Sequence, residues 1–208
     1  MVKTLVTSLT LASLLLISAA FGQDQATAPT YRDGDSWQFT VTNTGSTSSS
    51  TRSLLGDYRL FFKGDEIRVA QVPQEKSEFR QNFAALRRML AIADNQKHLQ
   101  FPLSVKSNWS AEYQSETNSG VDRTVHADMS VTGYAEVTTS AGKFLAYKIE
   151  RYETFRSGGR GKNSSSNTRH SQQVYFYSPE TRSIVKLHRE ESGGETHDFE
   201  LTKFTPAK

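Results

Sequence analysis

Five histidines and no cysteine define the side-chain chemistry available to this 208-residue chain. His126 alternates with Asp128, and His188 with Glu190, so in an extended strand each pair falls on one side. A base with its orienting carboxylate, or two metal ligands, would need that arrangement. Solvent-facing partners on the polar side of a sheet give the same pattern. None of the five histidines belongs to an H-E-x-x-H or comparable spacing, so no metal and no cofactor is expected. Glu150 and Glu153 flank Arg151 and Tyr152, but residues three apart in a strand point to opposite faces, which rules out paired-carboxylate hydrolysis between them. No G-x-S-x-G elbow marks a serine nucleophile. The run Gly158-Gly159-Arg160-Gly161-Lys162 invites comparison with a phosphate loop, yet the first required glycine would fall on Arg156 and the Ser/Thr position on Asn163. The expected set of catalytic residues is therefore empty.

The segments that must position any site begin after residue 22. Lys3, the apolar stretch Leu11 to Ile17 and the small-x-small run Ala20-Phe21-Gly22 read as a secretory signal peptide over 1–22, followed by one exported domain over 23–208. Removing 22 of 208 residues leaves 186, enough for one sizeable core. Taking Lys3 from the 25 basic residues leaves 24 against 22 acidic ones, a net charge of +2 too balanced for a nucleic-acid partner. No later stretch approaches the roughly 20 apolar residues of a transmembrane helix. Without cysteine the domain has no disulfide, no thiol chemistry and no lipid-modified N-terminal cysteine. The expected location is outside the cytoplasm, periplasmic or extracellular.

Past the leader, two-residue periodicity dominates. Trp37, Phe39 and Val41 share a face; Tyr58, Leu60 and Phe62 form the next, turning at Gly64-Asp65 into Ile67 and Val69. Trp109, Ala111 and Tyr113 form another, as do Val125, Ala127, Met129 and Val131. Ser140-Ala141-Gly142 turns the chain into Leu145, Tyr147 and Ile149, and three meander strands follow from Val174, Ile184 and Phe199. Arg156 to Asn167 reads as a mobile loop. Only Glu75 to about Ala93 changes period: Phe79, Phe83, Leu86 and Leu90 recur at helical spacing, with Arg80, Arg87 and Arg88 opposite. The expected fold is mainly β, a curved antiparallel sheet or open half-barrel of about nine strands with one α-helix packed on it.

Three blocks carry a resemblance. Phe101-Pro102-Leu103 is followed by Trp109; Val131-Thr132-Gly133-Tyr134-Ala135-Glu136-Val137-Thr138-Thr139-Ser140-Ala141-Gly142-Lys143-Phe144 runs into Ala146-Tyr147-Lys148-Ile149-Glu150; and Tyr177-Ser178-Pro179-Glu180 precedes Ile184-Val185-Lys186. In this order they resemble the exported bacterial domain-of-unknown-function 3108-like family, over about the C-terminal half. Ala135, standing between Tyr134 and Glu136, and the arginine-bearing segment before the first block depart from its pattern. The resemblance implies an antiparallel, β-rich periplasmic or surface domain without an assigned reaction. The resulting expectation is a non-enzymatic exported domain that binds a lipid or other apolar ligand, or an envelope protein, in a groove lined by Phe79, Phe83, Leu86 and Leu90 with Arg87 and Arg88 at its rim. The alternatives are an envelope hydrolase using His126 and Asp128, and a structural or adhesive module working through its sheet edges and the Gly/Ser/Arg loop.

Overall fold

A computed structural model describes residues 25–44, 56–64, 66–72, 78–79, 89–90, 98–116, 122–157 and 168–208. Ten antiparallel strands form one sheet in the order β4-β3-β2-β1-β10-β9-β8-β7-β6-β5. They are β1 Ser36–Thr44, β2 Gly56–Lys63, β3 Glu66–Val72, β4 Glu78–Phe79, β5 Asn108–Glu116, β6 Asp122–Thr139, β7 Gly142–Ser157, β8 Thr168–Ser178, β9 Ser183–Glu191 and β10 Thr196–Thr205. Each strand pairs with its neighbour in sequence within two meanders, β1–β4 and β5–β10. The seam between β1 and β10, from Ser36↔Thr205 to Thr44↔Thr196, unites them. No helix occurs among the described residues, and none there is long and apolar enough to cross a membrane, a statement that does not bear on strands.

Alternation decides which face is buried. Trp37, Phe39, Leu60, Val125, Ala127 and Ile149 are fully buried, while Thr42, Asp128 and His126 on the other side meet solvent. The buried face is covered by irregular chain. Leu103 exchanges both backbone hydrogen bonds with Ala26 at 2.8 and 2.9 Å, Leu90 forms a bridge with Ser183, and Met89, Leu99 and Leu103 are buried against the sheet. At one end the β8–β9 turn plugs this core. The Trp37 indole donates to the Thr181 carbonyl (2.7 Å), and Arg182 pairs with the buried Asp35 (2.6 Å). Burial alone would push the Asp35 carboxyl up, but Arg182 and the backbone N–H groups of Ala207 and Arg32 outweigh it and hold it below the ordinary value.

The sheet curls. β6 and β7 are the longest strands, and β8 pairs with β7 only from Tyr147 to Arg156, so the β6–β7 tip overhangs. Near the bend the register shifts between Val131 and Gly133 and between Phe176 and Tyr177. The tip then reaches β10, at least three strand spacings away, or about 14 Å were the sheet flat. Ala141 N–H donates to the Leu201 carbonyl (3.2 Å), and Ser140 donates to Glu200 Oε1 from its backbone N–H (2.8 Å) and its hydroxyl (2.6 Å).

Three expectations need correcting. Within the segment expected to be helical from Glu75 to about Ala93, Glu78–Phe79 is instead β4, because the open edge of β3 offers backbone partners, with Val69↔Phe79 and Ala70↔Glu78 in register. The rest of that helix lies outside the described residues, except that Leu90 bridges Ser183. Leu145, expected on the core side, is 45% exposed, since beside the bulge Phe144, Ala146 and Tyr147 take the buried positions. The expected loop from Arg156 starts later, as β7 continues to Ser157. Residues 1–22 and the Gly158 to Asn167 run lie outside the described residues.

Candidate functional site

The inner stripe of β7 reads Ile149, Arg151, Glu153, Phe155, and it changes character midway: Arg151 and Glu153 are each 2% exposed. Sheet register surrounds them. Arg151 lies between Met129 on β6 and Gln173 on β8, and Glu153 between Ala127 and Ser171. An ion pair in such a place persists only if its hydrogen-bonding groups are met. Here they are. Arg151 Nε donates to Glu153 Oε1 (2.8 Å), Nη2 lies 2.5 Å from the same oxygen and also donates to the Tyr113 hydroxyl (2.8 Å), and Nη1 meets His98 Nδ1 (2.5 Å). A guanidinium only donates, so His98 Nδ1 accepts and the ring proton sits on Nε2. Glu153 further accepts from the Tyr113 hydroxyl (3.2 Å) and from the Gln173 amide (2.6 Å). Tyr175 donates to the His98 carbonyl (2.8 Å), tying the covering chain to the network.

Burial works against the charge on Arg151, but Glu153, Tyr175 and Tyr113 more than compensate and raise its pKa. Burial pushes the Tyr175 hydroxyl up to about 12, with Arg151 opposing. The network thus holds one fixed cation and fixed donors. It is not arranged as a general base, because every close partner of Glu153 already donates to it.

Farther along the same face the charged groups are less completely buried. Arg189 donates to Ser171 (3.1 Å), pairs with Glu191 (3.1 Å), approaches Glu153 (3.9 Å) and stacks over Phe155 at 5.8 Å. His197 lies beside it; burial first, then Arg189, lowers its pKa. One face therefore runs from a buried apolar floor, through a buried ion network, to a partly buried arginine.

The histidine pairs sit elsewhere. His126 Nε2 is 3.4 Å from Asp128 and its Nδ1 4.0 Å from Glu112, on the solvated face with side chains 51%, 57% and 70% exposed. His126 lines an open depression of 270 Å³ with Glu112, Thr124, Thr154 and Arg156, whereas Asp128 lines a different one with Tyr152 and Glu150. His188 pairs with Asp198 across strands (2.7 Å) rather than with Glu190, because register sets Asp198 opposite it. Glu150 and Glu153 do face opposite ways, Glu150 pairing with Lys148 (2.6 Å) on the outer side. No group of three metal-ligating side chains occurs among the described residues.

Of the groove residues, Phe79 is in β4 and Leu90 is fully buried within the core cluster; Phe83, Leu86, Arg87 and Arg88 lie outside the described residues. Sequence reading passed over Arg151 and Glu153 as the charged end of a strand. Counting by twos from Ile149 would have placed both on the buried face.

No family model and no curated relative matches the chain. Among solved structures it is similar to a candidate lipoprotein of Parabacteroides distasonis (13% identity, 88% of this chain and 100% of that one, TM-score 0.47). It is also similar to the hypothetical lipoprotein YmcC of Escherichia coli (10% identity, 83% and 86%, TM-score 0.41). A third is a candidate exported protein of Bacteroides fragilis with a YmcC-like fold (11% identity, 88% and 100%, TM-score 0.37). At these values no property is transferred from them.

Proposed function

We propose that this chain is an exported, non-catalytic β domain that binds an amphipathic ligand of the cell envelope on the covered face of its sheet. Export rests on the leader-like residues 1–22. Binding rests on one observation, the passage along a single face from apolar floor through the Arg151–Glu153 network to Arg189, whose side chain is 24% exposed. A ligand with a hydrocarbon body and a polar head matches that gradient: of the expected groove residues Leu90 is taken up by the core, which leaves Phe79, Phe83 and Leu86 for the body, and Arg189 with Arg87 and Arg88 for the head. Hydrolysis at His126 and Asp128 is less well supported, since the two side chains are more than half exposed and line two separate depressions among the described residues.

Stripping the mature protein of lipid and titrating it with a fluorescent long-chain fatty acid tests the proposal. Saturable binding, displaced by unlabelled fatty acid and weakened at least threefold by Arg189→Gln, is the expected result. Absence of saturable binding by folded protein, or binding indifferent to Arg189, overturns it.

A further inference from the structure

The two edges of the sheet are unequal. Among the described residues, β4 at one edge has two residues, whereas β5 at the other has nine, Asn108–Glu116, paired with β6 in unbroken register. Exposed edges are ordinarily blunted by shortness, proline, lysine or a bulge. β5 contains none of these between its ends. It also holds a loose polar group: the Trp109 indole N–H is buried, with no acceptor among the described residues.

We propose that β5 pairs antiparallel with β5 of a second copy of this chain, about a two-fold axis through Ala111. A two-fold axis makes the contact closed and self-complementary, so positions summing to 222 face each other. On the solvated side Asn108 then faces Gln114 of the second copy, an amide against an amide, and Ser110, whose hydroxyl donates to Asp128 of its own chain (2.5 Å), sets a neutral side chain opposite Glu112. On the covered side Trp109 faces Tyr113, a favourable aromatic cross-strand pair. An axis through Glu112 would set two carboxylates against each other. One through Ser110 would shorten the overlap and bring Asn108 against Glu112. Axes through Ala111 and Tyr113 both overlap seven residues with no like charges opposed, but only the Ala111 axis keeps Trp109 within the pairing, and it joins two ten-stranded sheets into one.

The absence of cysteine makes the test clean, because any disulfide in a single-cysteine variant must join two copies. Residues directly opposite have Cβ atoms about 4.5–5.5 Å apart, close to what a disulfide needs. The mature chain carrying Ala111→Cys should therefore cross-link to a dimer under mild oxidation. Gln114→Cys places the two thiols about six residues apart along the strand, roughly 20 Å, and should stay uncross-linked. Cross-linking of Ala111→Cys no greater than that of Gln114→Cys overturns the register. Sedimentation equilibrium of the unmodified chain is independent of the cysteine variants. A dimer is expected, and a monomer throughout the micromolar range overturns the proposal. Ser110→Glu places like charges opposite each other twice per dimer and should weaken association between about twofold and thirtyfold, while Ser110→Lys should strengthen it. The opposite order also overturns the proposal. None of these readouts involves a bound ligand, so they stand apart from the fatty-acid titration.

Discussion

Replacing Glu153 by alanine tests whether the network on the inner face is desolvated as a unit. Its carboxylate is the common acceptor for Arg151, Tyr113 and Gln173, and its side chain is 3% exposed. Removing one member of a buried pair costs about 3–5 kcal/mol because the other charge is left uncompensated. The Gln173 amide, 9% exposed, loses its acceptor as well, which adds to that figure and brings the expected loss to about 4–6 kcal/mol. For a domain of this size each kcal/mol moves Tm by about 2–4 °C, so a fall of roughly 8–24 °C is expected by calorimetry or circular dichroism. The comparison is Glu136→Ala, which removes an exposed partner of Lys143 and should leave Tm unchanged within error. Arg151→Met combined with Glu153→Met removes both charges at once and should be less destabilising than Glu153→Ala alone. If Glu153→Ala behaves like Glu136→Ala, or the double variant loses the sum of its two single changes, the two side chains do not form the dry, coupled pair described above.

Two further perturbations address the curl of the sheet. The Glu200 carboxyl is held below its ordinary value of 4.5, chiefly by the Ser140 hydroxyl, with burial opposing and the Ser140 N–H and Lys186 adding to the effect. Its folded pKa is depressed, so its contribution is present in full above the unfolded value and lost as pH falls through the folded one. The Tm gap between the native protein and Glu200→Gln should therefore be constant from neutral pH down to about pH 5.5 and shrink below about pH 4.5; a gap that widens on acidification contradicts the tip contact. Gly142 has φ +137 in the β6–β7 turn, so Gly142→Ala should cost about 1–3 kcal/mol in urea unfolding. Gly133→Ala meets open space and no positive φ, and should be nearly neutral; equal effects at the two sites would contradict the turn geometry.

Much of the sheet was legible because alternation is a local property. The faces Trp37-Phe39-Val41 and Val125-Ala127-Met129-Val131 are buried as their spacing requires. Features that depend on pairing were not. Phe79 carries helical spacing with Phe83, yet β3 recruits it as an edge strand, a choice made by a backbone more than five residues upstream. His188 meets Asp198 only because β9 and β10 align in one register. Arg151 and Glu153 were hidden for another reason: a charged residue is ordinarily read as solvent-facing, and only the parity inherited from Ile149 contradicts that reading. The motif blocks became legible as architecture once placed. The longest is the overhanging hairpin that bends onto β10, and the Ser-Pro-Glu block forms the plug secured by Asp35.

The β1–β10 seam also dictates an order of assembly. Every other pairing in the sheet joins consecutive strands, so each hairpin forms as soon as its second strand exists, whereas Val41 must find Phe199 across almost the whole polypeptide. Closing so long a loop adds only about 0.6 kcal/mol per doubling of length to the equilibrium, but non-local pairing is what slows folding. A chain delivered from its N-terminus therefore keeps one flank of β1, with its row of Trp37, Phe39 and Val41, open until β10 emerges.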